Sequence, residues 1–359
     1  MKPIIKWSGG KSQEIKFFEH KIPKKFNRYI EPFMGGGGVF FHLEHSNSII
    51  NDINFELVSL YNLIHNKQKR IFFIKQLNEI NKQRILFNEY YKKFNKEEII
   101  SLFNLKITKE LIIKLPKPIL YDLDNKLEGY VKKSLKDKIN RIQKIEEKEN
   151  KKFNDIEYGE HLTTALQSAL YFYCRDIYNK GYEELKDKDI SHYIANWYYV
   201  REFCYSSMFR FSKNGNFNVP YGGIGYNSKD FSVKINNINN NKKLHSLLEN
   251  TQINKMDFEE LFEKYNYFES EDFLFLDPPY DSEFSQYNKE GDFDKKEQIR
   301  LRDCLLKVNC KLMVVIKETD FIYDLYKTDF KIEKFDKKYM TNMRNRNNKD
   351  VQHLIITNY

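Results

Sequence analysis

The pattern of apolar and polar residues predicts short buried strands near both ends of the chain, with helices between them. Five apolar runs predict strands: residues 28–33, 48–51, 273–276, 311–316 and 351–357. Helical spacing at 39–43 and 295–308 separates neighbouring strands. Four consecutive glycines, 35–38, follow the first strand. This order of strand, glycine loop, helix, strand and acid is typical of nucleotide-binding α/β folds.

The middle of the chain has a different pattern. Residues 65–200 are rich in Lys, and their apolar spacing is mainly helical. Within them Leu135, Ile139, Ile142 and Ile145 form a narrow apolar stripe on a Lys-covered helix. Alternating aromatics around Lys213-Asn214-Gly215 predict a hairpin near 209–222, and 228–250 reads as a loop followed by a helix. We therefore predict a discontinuous α/β domain, 1–60 with 251–359, and a helical insert, 61–250.

Composition narrows the class of protein. Hydrophobic residues make up 41% and aromatics 16%, which is typical of a folded chain. The net charge of +9 favours a polyanionic partner such as nucleic acid. The four cysteines form no C-x-x-C pair, so we expect reduced thiols in a cytoplasmic protein. No run approaches the roughly 18 apolar residues of a membrane span, so we expect no membrane contact.

The motif Asp277-Pro278-Pro279-Tyr280 follows a predicted buried strand. In open α/β sheets, ligands bind beyond the carboxyl ends of the strands. An aromatic amine is a poor nucleophile because its lone pair is delocalised, and two acceptors on its N–H groups favour a tetrahedral nitrogen. Asp277 and a carbonyl aimed by proline can supply those acceptors, while Tyr280 offers a flat stacking face. A purely structural turn is the alternative.

A second motif lies in the N-terminal strand–loop–strand. Residues 29–37 contain Phe-x-Gly-x-Gly, in which glycines allow the backbone to approach a ligand closely. Asp52 ends the next strand, about twenty residues on, where an acid can accept hydrogen bonds from ribose hydroxyls. The segment Gly9-Gly10-Lys11-Ser12 lacks the first glycine and the strand of a phosphate-binding loop. A glycine-rich turn without a ligand is the alternative.

Taken together, these motifs resemble those of the Dam-type, alpha-class adenine DNA methyltransferases. The matching segments occur in family order: 6–11, 29–38, 51–54, 209–222, 276–280 and 351–359. The resemblance implies a Rossmann-like, S-adenosylmethionine-dependent methyltransferase core with an inserted, mainly helical target-recognition domain carrying a β-hairpin. It also implies transfer of a methyl group to the amino group of an adenine flipped out of double-stranded DNA, with no metal.

The resemblance assigns roles to individual residues. The catalytic motif would be Asp277, Pro278, Pro279 and Tyr280. The residues expected to bind S-adenosylmethionine are Trp7, Lys11, Glu31, Phe33, Gly35, Gly37, Asp52, Asp257, Phe258 and Asp277. The residues expected to bind DNA are Tyr205, Ser206, Met208, Arg210, Lys213, Asn218 and Pro220. Of these, Arg210 matches the position that reads a guanine in GATC-specific members, with a phosphate contact as its alternative role.

Several alternatives stay open. The substrate could be RNA adenine or the cytosine amino group, although related cytosine enzymes more often carry Ser in place of Asp277. A non-catalytic DNA-binding module is a further alternative. The insert is longer than is typical, and Tyr205-Ser206-Ser207 stands where the family more often has an Asn-containing turn. These departures leave the recognition sequence open. The oligomeric state is also open. The biological role is open as well: it could be restriction-modification with a companion endonuclease, or an orphan epigenetic role.

Overall fold

The chain forms two compact units. A computed structural model describes residues 1–7, 9–90, 98, 124–185, 189–280, 293–338 and 350–359. Met1–Asn66 together with Lys242–Tyr359 form one unit, the sheet unit, and Lys67–Asn241 form the other, the helical unit. None of the helices in these described ranges is long and apolar enough to cross a membrane.

The sheet unit is built on a mixed sheet that, within the described residues, has seven strands. They are β1 (Tyr29–Glu31), β2 (Ser48–Asn51), β3 (Thr251–Asn254), β4 (Phe273–Leu276), β5 (Lys311–Lys317), β6 (Lys331–Lys338) and β7 (Asp350–Thr357). Their order is β3-β2-β1-β4-β5-β7-β6. Strands β1 to β5 are parallel, and β7 runs antiparallel to both of its neighbours. The strand order reverses between β1 and β4, which is where open α/β sheets bind ligands.

Twelve α-helices lie in the described residues. They are α1 (Ile15–Phe18), α2 (Gly38–Leu43), α3 (Phe55–His65), α4 (Lys67–Tyr90), α5 (Asp124–Glu149), α6 (Asp155–Lys180), α7 (Ile190–Phe203), α8 (Ser232–Asn240), α9 (Lys242–Glu249), α10 (Phe258–Lys264), α11 (Lys295–Leu305) and α12 (Asp320–Tyr326). Short polar side chains begin several of them: Asn54 caps α3, Asp294 caps α11 and Thr319 caps α12. Each satisfies a backbone N–H that the first helical turn leaves without a partner.

The core of the sheet unit follows from the apolar runs. All four residues of β4 and the centre of β5 are buried, as expected for parallel strands covered on both faces. Ile30, Leu274 and Leu312 are fully buried in one cluster with side chains of α10 and α11. Burial of each such side chain contributes about 1.5–3 kcal/mol.

Most strand predictions are confirmed, with three differences. The first strand is shorter than residues 28–33, and spans only Tyr29–Glu31. Strands β3 and β6 were not predicted, because Thr251–Asn254 is mostly polar and Lys331–Lys338 has six charged residues and only two apolar ones, without alternation. Both lie at the edges of the sheet, where charged residues discourage pairing with another chain. Residues 228–250, predicted as a loop followed by a helix, contain two helices, α8 and α9, so the helix is confirmed and the loop is shorter than expected.

The helical unit confirms the predicted helices where it is described. Helices α4 to α7 account for most of 65–200, whereas 91–97, 99–123 and 186–188 lie outside the described residues. The predicted stripe on α5 is buried at Leu135, Ile139 and Ile142, and α5 packs along α6. Helix α6 begins with a capping box between Asn154 and Glu157.

The segment predicted as a hairpin pairs only locally. Antiparallel bridges join Cys204 to Tyr221 and Phe211 to Phe217, without continuous strands. A turn lies between Phe211 and Phe217, and in it the Gly215 N–H donates to the Ser212 carbonyl at 2.9 Å. Side chains of α6 bind the backbone instead: Asn179 bonds both the N–H and the C=O of Phe217. These bonds satisfy groups that a longer ladder would use.

The insert leaves and rejoins the sheet unit at adjacent helices. Helix α3 ends at His65, and α9 begins at Lys242. The two helices pack on each other, and His65 Nδ1 lies 2.7 Å from the Leu248 carbonyl oxygen.

Candidate active site

The candidate site lies at the carboxyl ends of three adjacent strands. Glu31 ends β1, Asp52 follows β2 and Asp277 follows β4. These strands are neighbours in the order β2-β1-β4 and run parallel, so the three carboxyl groups come to the same edge. Two predicted motifs, about 225 residues apart in sequence, are thereby brought together.

Lys11 joins the N-terminal motif to the catalytic motif. Its ammonium lies 2.5 Å from Asp277 Oδ1, 3.2 Å from the Tyr280 hydroxyl and 3.1 Å from the Gly9 carbonyl oxygen. Lys11 is 2% exposed and Asp277 18%. A buried ammonium requires a nearby negative charge, so Asp277 stabilises Lys11 as much as Lys11 orients Asp277. The residue expected to contact S-adenosylmethionine thus contacts the catalytic motif.

The rest of the catalytic motif leaves the sheet as an irregular segment. Pro278 is buried, Pro279 is exposed and Tyr280 is half-buried. The Pro279 carbonyl accepts a 2.9 Å hydrogen bond from Gln298 Nε2 on α11, and Gln298 is fully buried. This bond fixes the backbone immediately after Pro278, whose carbonyl is the second acceptor expected for an amine.

The glycine loop after β1 is packed against Trp7. Gly35 and Gly37 have φ values of +50° and +70°, which side chains disfavour. A Cβ on Gly35 would lie 2.9 Å from Trp7 Cδ1, and one on Gly37 would lie 2.7 Å from Met34 Cε. Both glycines are therefore required by close approach as well as by conformation.

Asp52 holds the glycine loop through its carboxylate. Its Oδ2 accepts from the Gly35 N–H at 2.8 Å, and its Oδ1 accepts from the Asn54 N–H at 2.9 Å. Burial raises the pKa of Asp52 above its ordinary value, although these backbone bonds oppose the shift. Its side chain is half-buried. The residue expected to bind ribose therefore also shapes the loop expected to bind the rest of the ligand.

Glu31 is the most deeply buried of the three acids. It is 2% exposed and accepts a 2.9 Å hydrogen bond from the Tyr29 hydroxyl. Burial raises the pKa of Glu31 well above its ordinary value, and the charges of Asp277 and Asp52 raise it further. This edge of the sheet is thus electrostatically suited to a positively charged ligand.

Asp257 and Phe258, at the start of α10, meet Arg300. Arg300 donates to both carboxylate oxygens of Asp257, at 2.6 and 2.8 Å, and its guanidinium carbon lies 4.1 Å from the centre of the Phe258 ring. Burial would raise the pKa of Asp257, but the bonds from Arg300 and from backbone N–H groups lower it overall. The Phe33 ring lies 5.6 Å from that of Phe258. Phe33, Asp257 and Phe258, expected to bind one ligand, are thus held together.

The residues expected to bind DNA lie on the surface of the helical unit. Six of the seven side chains are exposed, and Asn218 is half-buried: Tyr205, Ser206, Met208, Arg210, Lys213, Asn218 and Pro220. They alternate with the buried residues Phe209, Phe217, Val219 and Tyr221. Arg210 Nε donates to Asn218 Oδ1 at 2.8 Å. The alternation gives a buried framework with an accessible polar edge.

The turn that departs from the family pattern is conformationally unusual. Ser206 and Ser207 both have positive φ values, +53° and +52°. Asn adopts this left-handed conformation more readily than Ser does. The family's preference for an Asn-containing turn at this place therefore fits the backbone geometry seen here.

Four site residues were missed by sequence reasoning. Asn51 bonds the Pro32 carbonyl and both backbone groups of Met256, and so joins the loops after β1 and β3. Gln298, Arg300 and His353 contact the predicted residues from α11 and β7. Asn51 and His353 lie in the segments that resemble the family, 51–54 and 351–359, but neither was given a role. The others belong to an ordinary helix pattern, in which nothing marks a contact with a distant motif.

The parallel sheet with an antiparallel β7, and acids at three adjacent strand ends, are consistent with the fold of S-adenosylmethionine-dependent methyltransferases. Residues 7–341 match the family model described as D12 class N6 adenine-specific DNA methyltransferase. The chain belongs to this family, which confirms the resemblance seen in the sequence.

Full-length relatives support the same family. The chain is 29% identical over 364 residues to the type II methyltransferase M.CviBI of Paramecium bursaria Chlorella virus NC1A, covering 100% of both chains. It is 29% identical over 378 residues to the type II methyltransferase M.MjaIII of Methanocaldococcus jannaschii, covering 100% of this chain and 99% of the relative. A 94-residue match to the DNA adenine methylase of Escherichia coli K12 is 32% identical, and covers 26% of this chain and 33% of that protein.

Proposed function

We propose that this methyltransferase moves a methyl group from S-adenosylmethionine to the exocyclic amino group of an adenine rotated out of duplex DNA. The observation that carries the proposal is the position of Asp277, Pro278 and Tyr280 beyond β4, with Lys11 on the Asp277 carboxylate. Rotating a base out of the duplex costs a few kcal/mol, which stacking and pocket hydrogen bonds offset.

The residues at the strand ends suit S-adenosylmethionine as the donor. When bound, it supplies an electrophilic methyl carbon on a positively charged sulfur. Burial and the charges of Asp277 and Asp52 raise the pKa of Glu31, and a cation bound at this edge would stabilise its ionised form. The glycine loop packs against Trp7 without a side chain at Gly35. We assign Trp7, Glu31, Phe33, Gly35, Gly37, Asp52, Asp257 and Phe258 to the donor site.

Asp277 and Pro278 would act by holding the amine. The Asp277 carboxylate accepts one N–H and the Pro278 carbonyl accepts the other, so the nitrogen lone pair is directed at the methyl carbon. Tyr280 stacks on the base and fixes its plane. Positioning and electrostatics supply most of the rate acceleration. The methylated amine is an acidic cation that loses its proton readily. No strong base is required of the chain.

We propose that the helical unit is the target-recognition domain. Its compact boundaries, Lys67–Asn241, lie close to the expected insert 61–250. The support is the row of accessible side chains from Tyr205 to Pro220 on a buried aromatic framework. Contacts between such side chains and base edges would determine which DNA sequence is recognised. Contacts from Lys and Arg to phosphates would set the affinity for DNA.

The test is a transfer assay with tritium-labelled S-adenosylmethionine on duplex DNA, single-stranded DNA and RNA, followed by nucleoside analysis. We expect label in N6-methyladenine from duplex DNA. Label in N4-methylcytosine or in RNA would favour the alternative substrates, and no label with any of them would favour a non-catalytic module. Mapping the modified adenines would give the recognition sequence.

Replacing Asp52 is expected to weaken donor binding. Asp52→Ala removes a carboxylate that holds Gly35 and is expected to hold ribose, so the KM for S-adenosylmethionine should rise roughly 10- to 100-fold, with a smaller change in kcat. Steady-state kinetics at saturating DNA measure this. Glu260→Ala, at an exposed position on α10, is the matched control and should leave KM unchanged. An unchanged KM in Asp52→Ala would contradict the assignment.

Arg210 is expected to set sequence preference. Its Nε is bonded to Asn218, which leaves the two terminal Nη groups as donors for a base edge. Arg210→Lys keeps the charge but loses the fork, and should reduce discrimination between the preferred and one-base-altered sites by about 1–3 kcal/mol.

Lys213→Gln, on the same exposed turn, provides the comparison for Arg210. It should weaken binding equally at all sequences and lower the salt dependence. Competition binding at several salt concentrations distinguishes the effect of Arg210→Lys from that of Lys213→Gln. A uniform loss for Arg210→Lys would assign Arg210 to a phosphate.

A restriction-modification role is the biological setting we favour, because two relatives aligned over their full length are named type II methyltransferases. In that setting DNA from cells that make the protein resists a companion endonuclease of the same specificity. Cells that make the methyltransferase but no endonuclease of the same specificity would favour an orphan role. A cytoplasmic location stays a prediction.

A further inference from the structure

A chain of hydrogen bonds runs from Lys11 to a buried histidine, His353, that was given no role from the sequence. The Lys11 ammonium has three N–H donors, and three oxygens lie within reach, on Gly9, Asp277 and Tyr280. An ammonium cannot accept a hydrogen bond. The Tyr280 hydroxyl therefore accepts from Lys11, and its own proton is available for another group.

His353 is positioned to accept that proton. Its Nε2 lies 3.2 Å from the Tyr280 hydroxyl oxygen. With Nε2 as the acceptor, a neutral His353 carries its proton on Nδ1. The Lys11 end of the chain is fixed by a group that only donates, and the Tyr280–His353 bond joins that end to β7 whichever ring nitrogen of His353 carries the proton.

The His353 ring is itself well fixed. It is fully buried in β7, where its backbone is paired with Lys317 of β5 and Phe335 of β6. Its ring stands edge-on to Tyr280, with centroids 5.9 Å apart, and lies 5.5 Å from that of Phe335. By contrast, residues 277–280 are in neither helix nor strand.

We propose that His353 is a positioning residue that sets the orientation of Tyr280, and through Lys11 that of Asp277, before the adenine arrives. The hydroxyl lies on the axis of the tyrosine ring, so fixing it restricts the direction of the side chain, and the edge contact with His353 restricts the tilt of the ring. This inference rests on the proposed role of Tyr280 as the face on which the base stacks. A preset face avoids the loss of side-chain freedom when the base binds.

The test compares two substitutions of similar size at His353, in wild-type and Tyr280→Phe backgrounds. His353→Gln keeps an acceptor at the end of the side chain, whereas His353→Leu removes it. The readouts are the single-turnover rate of methyl transfer to duplex DNA and the KM for S-adenosylmethionine. Circular dichroism and the thermal midpoint check the fold of each variant.

We expect His353→Leu to lower the single-turnover rate by about tenfold, and His353→Gln to stay within roughly threefold of wild type, since the interaction is one coupled hydrogen bond. The KM for S-adenosylmethionine should not change. Tyr280→Phe should lose about as much as His353→Leu, and adding His353→Leu to it should cost little more.

Other outcomes would overturn the inference. Additive losses in the double variant would mean that His353 acts through general packing, and wild-type rates in Tyr280→Phe would mean that the hydroxyl is not used. If His353→Leu does not fold, the Tyr280→Phe rate, with and without His353→Gln, decides the same question. A wild-type rate for Tyr280→Ala would instead contradict the stacking role of Tyr280, whatever the result at His353.

Discussion

Asp277→Asn should lower the rate of methyl transfer by about 100- to 1,000-fold, the size of effect seen when one preorganised electrostatic group is removed from an active site. The substitution keeps the shape of the side chain but replaces one acceptor oxygen with an NH₂ group. That group would face an N–H of the adenine, so the amine could no longer be held by two acceptors. Tritium transfer to duplex DNA at saturating donor measures the loss.

The contact with Lys11 decides which variant gives a clean answer. Asp277→Ala would leave a 2% exposed ammonium without its counter-charge, so it should lose stability as well as activity. Asp277→Asn removes the same charge but keeps an oxygen that can accept from Lys11, so it should lose less stability than Asp277→Ala. The control is Asp324→Asn, at an exposed position on α12 paired only with nearby Lys327 among the contacts observed. A rate for Asp277→Asn within threefold of that control would refute the proposed mechanism.

The second large effect concerns Arg84, in the centre of the helical unit. Its side chain is 2% exposed and donates to Gln167 Oε1 and to the carbonyls of Tyr226, Asn227 and Lys229 at 2.7–2.9 Å. Arg84→Met should lower the free energy of unfolding of this unit by about 3–5 kcal/mol, because four acceptors each lose a charged donor, although Asn88 still donates to the Asn227 carbonyl and the Lys229 N–H to that of Tyr226. Urea denaturation, followed by tryptophan fluorescence and circular dichroism, gives the change.

A matched substitution separates this effect from the simple loss of a positive charge. Arg141→Met, at an exposed position on α5, should change the free energy of unfolding by less than about 0.5 kcal/mol. Hydrogen exchange should also become faster at 226–229 in Arg84→Met, since these carbonyls are tied to α4 by Arg84. Equal stability of the two variants would show that water replaces the lost donors.

The fold could be predicted from the sequence where burial is complete. Strand β4 was predicted with its observed ends, because Phe273–Leu276 is apolar at every position and bounded by polar residues. The edge strand β6 could not be predicted in this way, since it has only two apolar residues, one on each face, and its pairing with β7 is a long-range property. The local pattern of apolar residues indicates burial, and an edge strand has few buried side chains.

The same limit applies to the candidate site. The motif residues were found because Gly, Pro and Asp at strand ends carry a local signal. The partners that orient them were not: Lys11 and Asp277 are 266 positions apart, and Tyr280 and His353 are 73 apart. Such contacts depend on which strands become neighbours. Only the topology, with β7 placed between β5 and β6, brings His353 beside Lys317 at the carboxyl end of β5.

The contact between His65 and Leu248 has a consequence for how such proteins diversify. Because the chain leaves α3 and returns at α9 beside it, a segment of any length between these points can be exchanged without moving a strand. On the proposed role of the helical unit as the target-recognition domain, recombination at these two points would transfer a whole DNA specificity in a single event. Chimaeras joined after Asn66 and before Lys242 are therefore a rational starting point for methyltransferases with new target sequences.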